Sequence, residues 1–295
     1  MWLIYALLTG WIYAAYYMFN QDSKLKADLF IIYRGFLPAL VATPLALFFH
    51  HTFAWQFYAI VLFQGISIAY IDYNYFLSFH KFGAENVNAV KPLTLCITFV
   101  LWLIFQPSMI LEYANEPLRT LIIILALAAM IFAIIKYRHQ KIGKQCLKEI
   151  LPLLFISSSI DISNKIIMDY AQADHLLILT FHRVAFTGWI VAIINLLMNF
   201  KNKDGLIEAI KWQNIRKSGF IVLLVLSMIT TNLAMHYTPN PAYSSAIMHL
   251  SLIWIILINK FRTFIGKQVV YQPIDRKWIL LLLAAAIVLV LATQK

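Results

Sequence analysis

The sequence predicts an all-α integral membrane protein whose ten transmembrane helices form two inverted five-helix repeats. Three observations predict it. Hydrophobic residues make up 62% of the 295-residue chain and charged residues only 13%, far from the roughly half apolar, quarter charged mix of soluble domains. The apolar residues gather in runs of spanning length, about 20 residues for a bilayer core of about 30 Å. The basic residues crowd onto alternate joints between those runs. Ten spans with short joints use up the chain, so no separate soluble domain is expected.

The spans are expected near residues 2–19, 29–49, 55–78, 84–105, 117–135, 150–169, 176–198, 218–237, 241–259 and 278–293. Met1 runs straight into the first, with no basic stretch before it and no small-residue cleavage site after it, so it reads as a retained span rather than a removed signal. Joints carry breaker signals at Gln106-Pro107, Thr238-Pro239-Asn240-Pro241 and Gln272-Pro273. The eighth and ninth spans are parted only by that double-proline turn, which makes them an antiparallel hairpin. Cys96 sits in an apolar run and Cys146 in a Lys-rich loop, a pattern that gives neither a disulfide framework nor a metal-ligand spacing.

Orientation follows from Lys and Arg, which collect on the cytoplasmic side of span ends. The joints after spans one, three, five, seven and nine hold 18 of them, including Lys136, Arg138, Lys141, Lys144 and Lys148 in one and Lys260, Arg262, Lys267, Arg276 and Lys277 in another. The even joints hold Glu112, Glu116, Asp169 and Asp174, with Arg119 at a span edge. The odd joints therefore face the cytoplasm and both termini face outside, in a bacterial-type inner membrane. The net charge of +11 then reflects topology, and no nucleic-acid partner is expected.

The two halves, 1–140 and 141–295, echo one another. Phe30-Ile31-Ile32-Tyr33-Arg34-Gly35 in span two matches Leu179-Thr180-Phe181-His182-Arg183-Val184 in span seven, an Arg preceded by a ring at similar depth. Gly83 to Val90, leading into span four, aligns with Asn240 to Ile247, leading into span nine. Five spans per half is odd, so the copies must lie in opposite orientation.

With these motifs, and with Tyr75-Phe76-Leu77 and Lys81-Phe82-Gly83-Ala84 running from span three into span four, the chain resembles the drug/metabolite transporter superfamily, EamA-like branch, over essentially its whole length. That resemblance implies a secondary carrier with a central cavity lined mainly by spans one, three, four, six, eight and nine.

The residues carry a functional reading of their own. An ionisable group at membrane depth costs at least a few kcal/mol unless it faces a cavity or a partner. Seven such groups stand out: Arg34, Asp72, Glu85, Lys91, Asp161, Lys165 and Arg183, with His249 about eight residues into span nine. Asp161 and Lys165 are four apart in acid-first order and are expected to share a helix face as an ion pair. Ser157, Asp161, Asn164 and Met168 form a stripe of helical spacing, which favours a lined cavity. Lys91 precedes Pro92, whose ring permits a bend, and broken helices near mid-membrane are where carriers coordinate ligands. Lys91 is the first candidate for substrate contact. Arg34 and Arg183, nearer span ends, are candidates for structure or gating, clamping adjoining loops, as are Glu85 and Pro92. Tyr70, Asp72, Tyr73, Asn74 and Tyr75 form a dense polar-aromatic stretch offering a carboxylate and ring faces to a cation.

Lys91, Asp72, Tyr73, Asn74, Asp161, Asn164, Lys165 and His249 are thus the expected substrate-binding set. A cavity of both charge signs suits a zwitterionic or anionic metabolite, amino-acid-like or nucleoside-linked. No phosphate-cradling Gly loop or nucleophile arrangement points to an enzyme, and no cofactor is implied. Coupling to protons would run through Asp72, Asp161 or His249. A monomer in a lipid bilayer is expected to suffice. The same scaffold suits, as an alternative, a flippase for a lipid-linked intermediate, with basic residues at a lateral gap. A non-transporting scaffold would have no need of the buried charges.

Overall fold

A computed structural model describes every residue except 24, 50, 83–86, 88–89, 138–143, 171–174, 200–206, 266–275 and 294–295. The described residues are all-helical, without strands. In order they form α1 (Trp2–Ser23), α2 (Ala27–Phe48), α3 (Trp55–Phe82), a 3₁₀ turn at Lys91–Leu93, α4 (Thr94–Phe105), α5 (Ser108–Asn115), α6 (Pro117–Tyr137), α7 (Lys144–Tyr170) and α8 (Leu176–Asn199). The second part continues with α9 (Trp212–Ser218), a 3₁₀ turn at Gly219–Val222, α10 (Leu223–Tyr237), α11 (Pro241–Met248), α12 (Ser251–Phe264) and α13 (Arg276–Thr293). Among the described residues, seven stretches are long and apolar enough to cross a bilayer: 2–20, 29–48, 117–136, 144–170, 176–198, 212–237 and 241–264. Their outer surface is apolar, with Leu47, Leu62, Ile104, Leu125, Leu197 and Leu291 at least half exposed, as suits a multi-pass membrane protein.

Between α2 and α8 the packing rests on small residues. Gly35 and Ala39 stand four apart on α2, and Gly188 and Ala192 four apart on α8. A Cβ added at Gly35 would stand 2.5 Å from the Ala192 amide nitrogen, and one at Gly188 would stand 2.9 Å from the Ala39 Cβ. Residue numbers rise along one helix as they fall along the other, so the pair is antiparallel. Asn195 Nδ2 extends this seam by donating to the Ile31 carbonyl at 3.0 Å. Small-xxx-small crossings bring backbones together where lipid provides no hydrophobic drive between helices, leaving dispersion contacts to hold them.

Elsewhere α6 packs on α13, α1 on α10, α11 and α12, and α3 on α7 and α8. The largest apolar core lies among α1, α4, α6, α11 and α13, with Leu95, Met130, Ile134, Tyr243 and Leu289 buried at its centre. Prolines stand inside helices at Pro38 and Pro44 in α2 and at Pro152 in α7, as membrane-spanning helices tolerate.

Three expected spans are not single helices. The stretch expected at 84–105 carries the 3₁₀ turn at Lys91–Leu93 before α4. The stretch at 218–237 begins in a 3₁₀ turn that follows α9, and that at 241–259 breaks at His249-Leu250 and runs on to Phe264. The joint at 106–116, expected to be a bare turn, folds into α5, bent 110° from the preceding segment. Pro107 starts α5, Met109 is buried, and Ile110 and Leu111 are exposed. Tyr237 ends α10 and Asn240 caps α11 by accepting from the Ala242 amide at 2.9 Å, so the double-proline turn does separate two helices.

Candidate functional site

α3 carries two polar clusters, one at Gln64 and one at Asp72, eight residues and therefore about 12 Å apart along the axis. Asp72, its side chain 4% exposed, takes the Arg34 guanidinium on Oδ1 at 2.6 Å. Its other oxygen is buried and accepts no hydrogen bond among the described residues. Tyr75, three residues on, shares that face of α3, and the Lys91 ammonium sits 4.6 Å from the centre of its ring. Asp72 thus lies in the field of two cations, Arg34 and Lys91. The turn that presents Lys91 follows from Pro92, which has no N–H to give to a helix. Thr94 Oγ1 donates to the Lys91 carbonyl at 2.7 Å and satisfies it locally.

Around Gln64 the second cluster gathers neutral amides and hydroxyls directly about one guanidinium. Arg183 is buried in α8, donating from Nε to Gln64 Oε1 at 2.7 Å and from Nη1 to Asn232 Oδ1 at 2.6 Å. Gln64 Nε2 passes on a bond to Ser163 Oγ at 2.8 Å, and Asn232 Nδ2 one to Thr180 Oγ1 at 3.2 Å. Four helices, α3, α7, α8 and α10, are tied together by this network. Asp161 on α7 accepts from Ser245 Oγ of α11 at 3.1 Å and lies within the field of Arg183. Nearby, Asn164 is buried with an unpartnered Oδ1.

The ion pair expected between Asp161 and Lys165 is not made. Lys165 turns one step further along α7, to Asp169 Oδ1 at 2.5 Å, and also donates to the His236 carbonyl at 3.2 Å. The polar-aromatic stretch at 70–75 does not gather on one face either, because each residue is turned about 100° from the last. Asp72 and Tyr75 point inward, whereas Tyr70 and Tyr73 are exposed and Asn74 bonds back to the Tyr70 carbonyl. Arg34 and Arg183 clamp helices rather than loops. Pro92 is buried in its turn, and His249 sits at the break that ends α11. Glu85 lies outside the described residues.

Gln64, Asn232 and Ser245 are missing from the expected set. Each is a neutral polar residue in an apolar run, a signal that a search restricted to ionisable groups passes over. No protein-family model matches the chain, and no curated protein matches it.

Proposed function

We infer that the chain is a secondary transporter that moves a small zwitterionic or anionic metabolite by alternating access. The observation that carries this reading is the Asp72 carboxylate, held by Arg34 on one oxygen and unpartnered on the other, beside a helix broken at Lys91. A buried carboxylate oxygen without a donor is expensive, and a substrate ammonium or a proton would satisfy it. Lys91 takes the anionic end, and Asp161 and Asn164 form the second polar wall.

The fold proposed for this is ten spans in two inverted repeats, with both termini outside and the drug/metabolite transporter layout. The bent pair α4 and α5, the 28-residue α3 and α13 complete the ten. Three features support the repeat. The 149-residue shift that carries Arg34 onto Arg183 also carries Ala39 onto Gly188, and those two residues touch, as residues on a two-fold axis must. The antiparallel crossing of α2 and α8 agrees with opposite orientation. The helices restart at Thr94 and Ser251, 157 residues apart, the same spacing that relates Gly83 to Asn240.

The experiment is uptake into proteoliposomes from a mixed metabolite pool, read by mass spectrometry. Accumulation of zwitterions or anions that is lost in Lys91→Ala and Asp72→Asn supports the reading. Ligand-induced thermal stabilisation that persists in Lys91→Ala at unchanged apparent affinity overturns the role of Lys91.

A further inference from the structure

The end of the bundle that carries the basic joints has a groove of about 580 Å³ between the last turn of α1 and the segment from Arg216 to Leu223. Phe19, Phe220, Val222 and Leu223 give it an apolar wall, while Arg216 and Lys217 stand exposed at its rim. Trp212, 75% exposed, opens α9 beside them, an aromatic placed as interfacial anchors are.

Charge at this end is unevenly matched. Asp22, which also lines the groove, is held by Arg262 on both oxygens at 3.0 and 2.8 Å. Glu208 is bonded by Lys211, which holds its carboxyl below the ordinary range. Glu149 pairs with Lys81 at 2.5 Å. These acids already have their cations, and among the described residues no ion pair takes Arg216 or Lys217. Two adjacent cations beside an apolar trough match a molecule with a phosphate at one end and hydrocarbon at the other.

We propose that this groove is a binding site for an anionic phospholipid, with the headgroup phosphodiester on Arg216 and Lys217 and an acyl chain along Phe19, Phe220 and Leu223. It rests on the membrane-spanning fold alone and not on transport. Two cations acting on an anionic headgroup favour it over a zwitterionic one by roughly thirtyfold. Free inorganic phosphate offers the same anion but nothing for the apolar wall.

Gly219 provides a plug. Gly219 lines the groove and a Cβ added there meets no atom within 4 Å, so Gly219→Trp adds bulk at the groove without displacing backbone. The full chain, purified in a neutral detergent, is titrated with phosphatidylglycerol, phosphatidylcholine and inorganic phosphate, and bound lipid is counted by native mass spectrometry. Phosphatidylglycerol should be kept roughly thirtyfold better than phosphatidylcholine. Gly219→Trp and, independently, Arg216→Gln with Lys217→Gln should reduce that preference at least tenfold while melting like the parent. Equal retention of the two lipids, or an undiminished preference in whichever variant folds, overturns the proposal. Displacement of the lipid by an equal concentration of inorganic phosphate also overturns it, by reassigning the site to a free anion.

Discussion

Gly35→Ala is the substitution for which the structure gives the sharpest expectation. The new methyl would stand 2.5 Å from the Ala192 nitrogen and 2.9 Å from both the Ala192 Cα and the Val191 Cγ1. Two of those three atoms are backbone of a packed helix and cannot rotate away, so α2 and α8 must part by about 1 Å to restore ordinary contact. A gap of that size forfeits a quarter to a half of each contact along the crossing, and overpacking of this kind costs about 1–3 kcal/mol. Alanine returns up to about 1 kcal/mol of helix propensity, leaving a net loss of about 0–2 kcal/mol where all of it is returned. Gly65→Ala meets Ile190 Cγ2 at 2.6 Å and Cβ at 2.7 Å; that Cβ is fixed to the α8 backbone and cannot rotate away, so α3 and α8 must part as well and a comparable loss is expected. Gly219→Ala meets nothing and should be neutral or slightly stabilising. Unfolding in mixed micelles, with denaturing detergent as the variable, reads all three. A Gly35→Ala protein as stable as Gly219→Ala would refute the close crossing.

Three further expectations follow from the same geometry. Asn232→Leu strips the Arg183 guanidinium of a charge-assisted bond inside the bundle and should cost about 2 kcal/mol in the same assay, whereas Asn74→Leu, half-buried and bonded within its own helix at the Tyr70 carbonyl, should cost less than about 0.5 kcal/mol. Lys91→Ala should abolish transport yet leave an inserted, folded protein. If Lys91 serves only to neutralise an acid, Lys91→Ala should instead destabilise, and removing that acid as well should rescue it. A reporter active only in the cytoplasm, fused after Lys295, should stay silent, and a bright signal would overturn the orientation inferred from the basic joints.

Depth alone made Arg34, Asp72 and Arg183 legible, because a charge in an apolar run stands out whatever it touches. Their partners were not legible, since the Arg34 to Asp72 pair joins two spans and the bond from Arg183 to Gln64 reaches back across 119 residues. Lys165 has an acid one turn away on either side, Asp161 and Asp169, and spacing cannot choose between them. The choice is tertiary: Ser245 of α11 claims Asp161, leaving Lys165 to Asp169. Pro92 announced a break, but the break at His249-Leu250 has no proline or glycine to announce it. The helix at Ser108–Asn115 was masked by the breaker Gln106-Pro107, since proline that ends one helix also starts another well.

The two arginines hold α3 in different ways, and the difference has a consequence for how α3 responds to charge. Arg183 grips Gln64 through a neutral amide, which no proton or substrate charge near neutral pH alters. Arg34 grips Asp72 through a carboxylate, whose charge a proton or an arriving cation can cancel, and its own side chain is 38% exposed. Neutralising or occupying Asp72 therefore frees one end of α3 while the other, about 12 Å away, stays fastened to α7, α8 and α10. α2 and α8, which carry the two arginines, meet closely at Gly35 and Gly188, and side chains lock the crossing on either side, with Asn195 Nδ2 donating to the Ile31 carbonyl and Trp189 Nε1 to Thr43 Oγ1. On the transporter reading, a charge arriving at Asp72 would loosen α3 from α2 while the Gln64 end stays held, and Asp72 is then where chemistry and helix movement would be coupled.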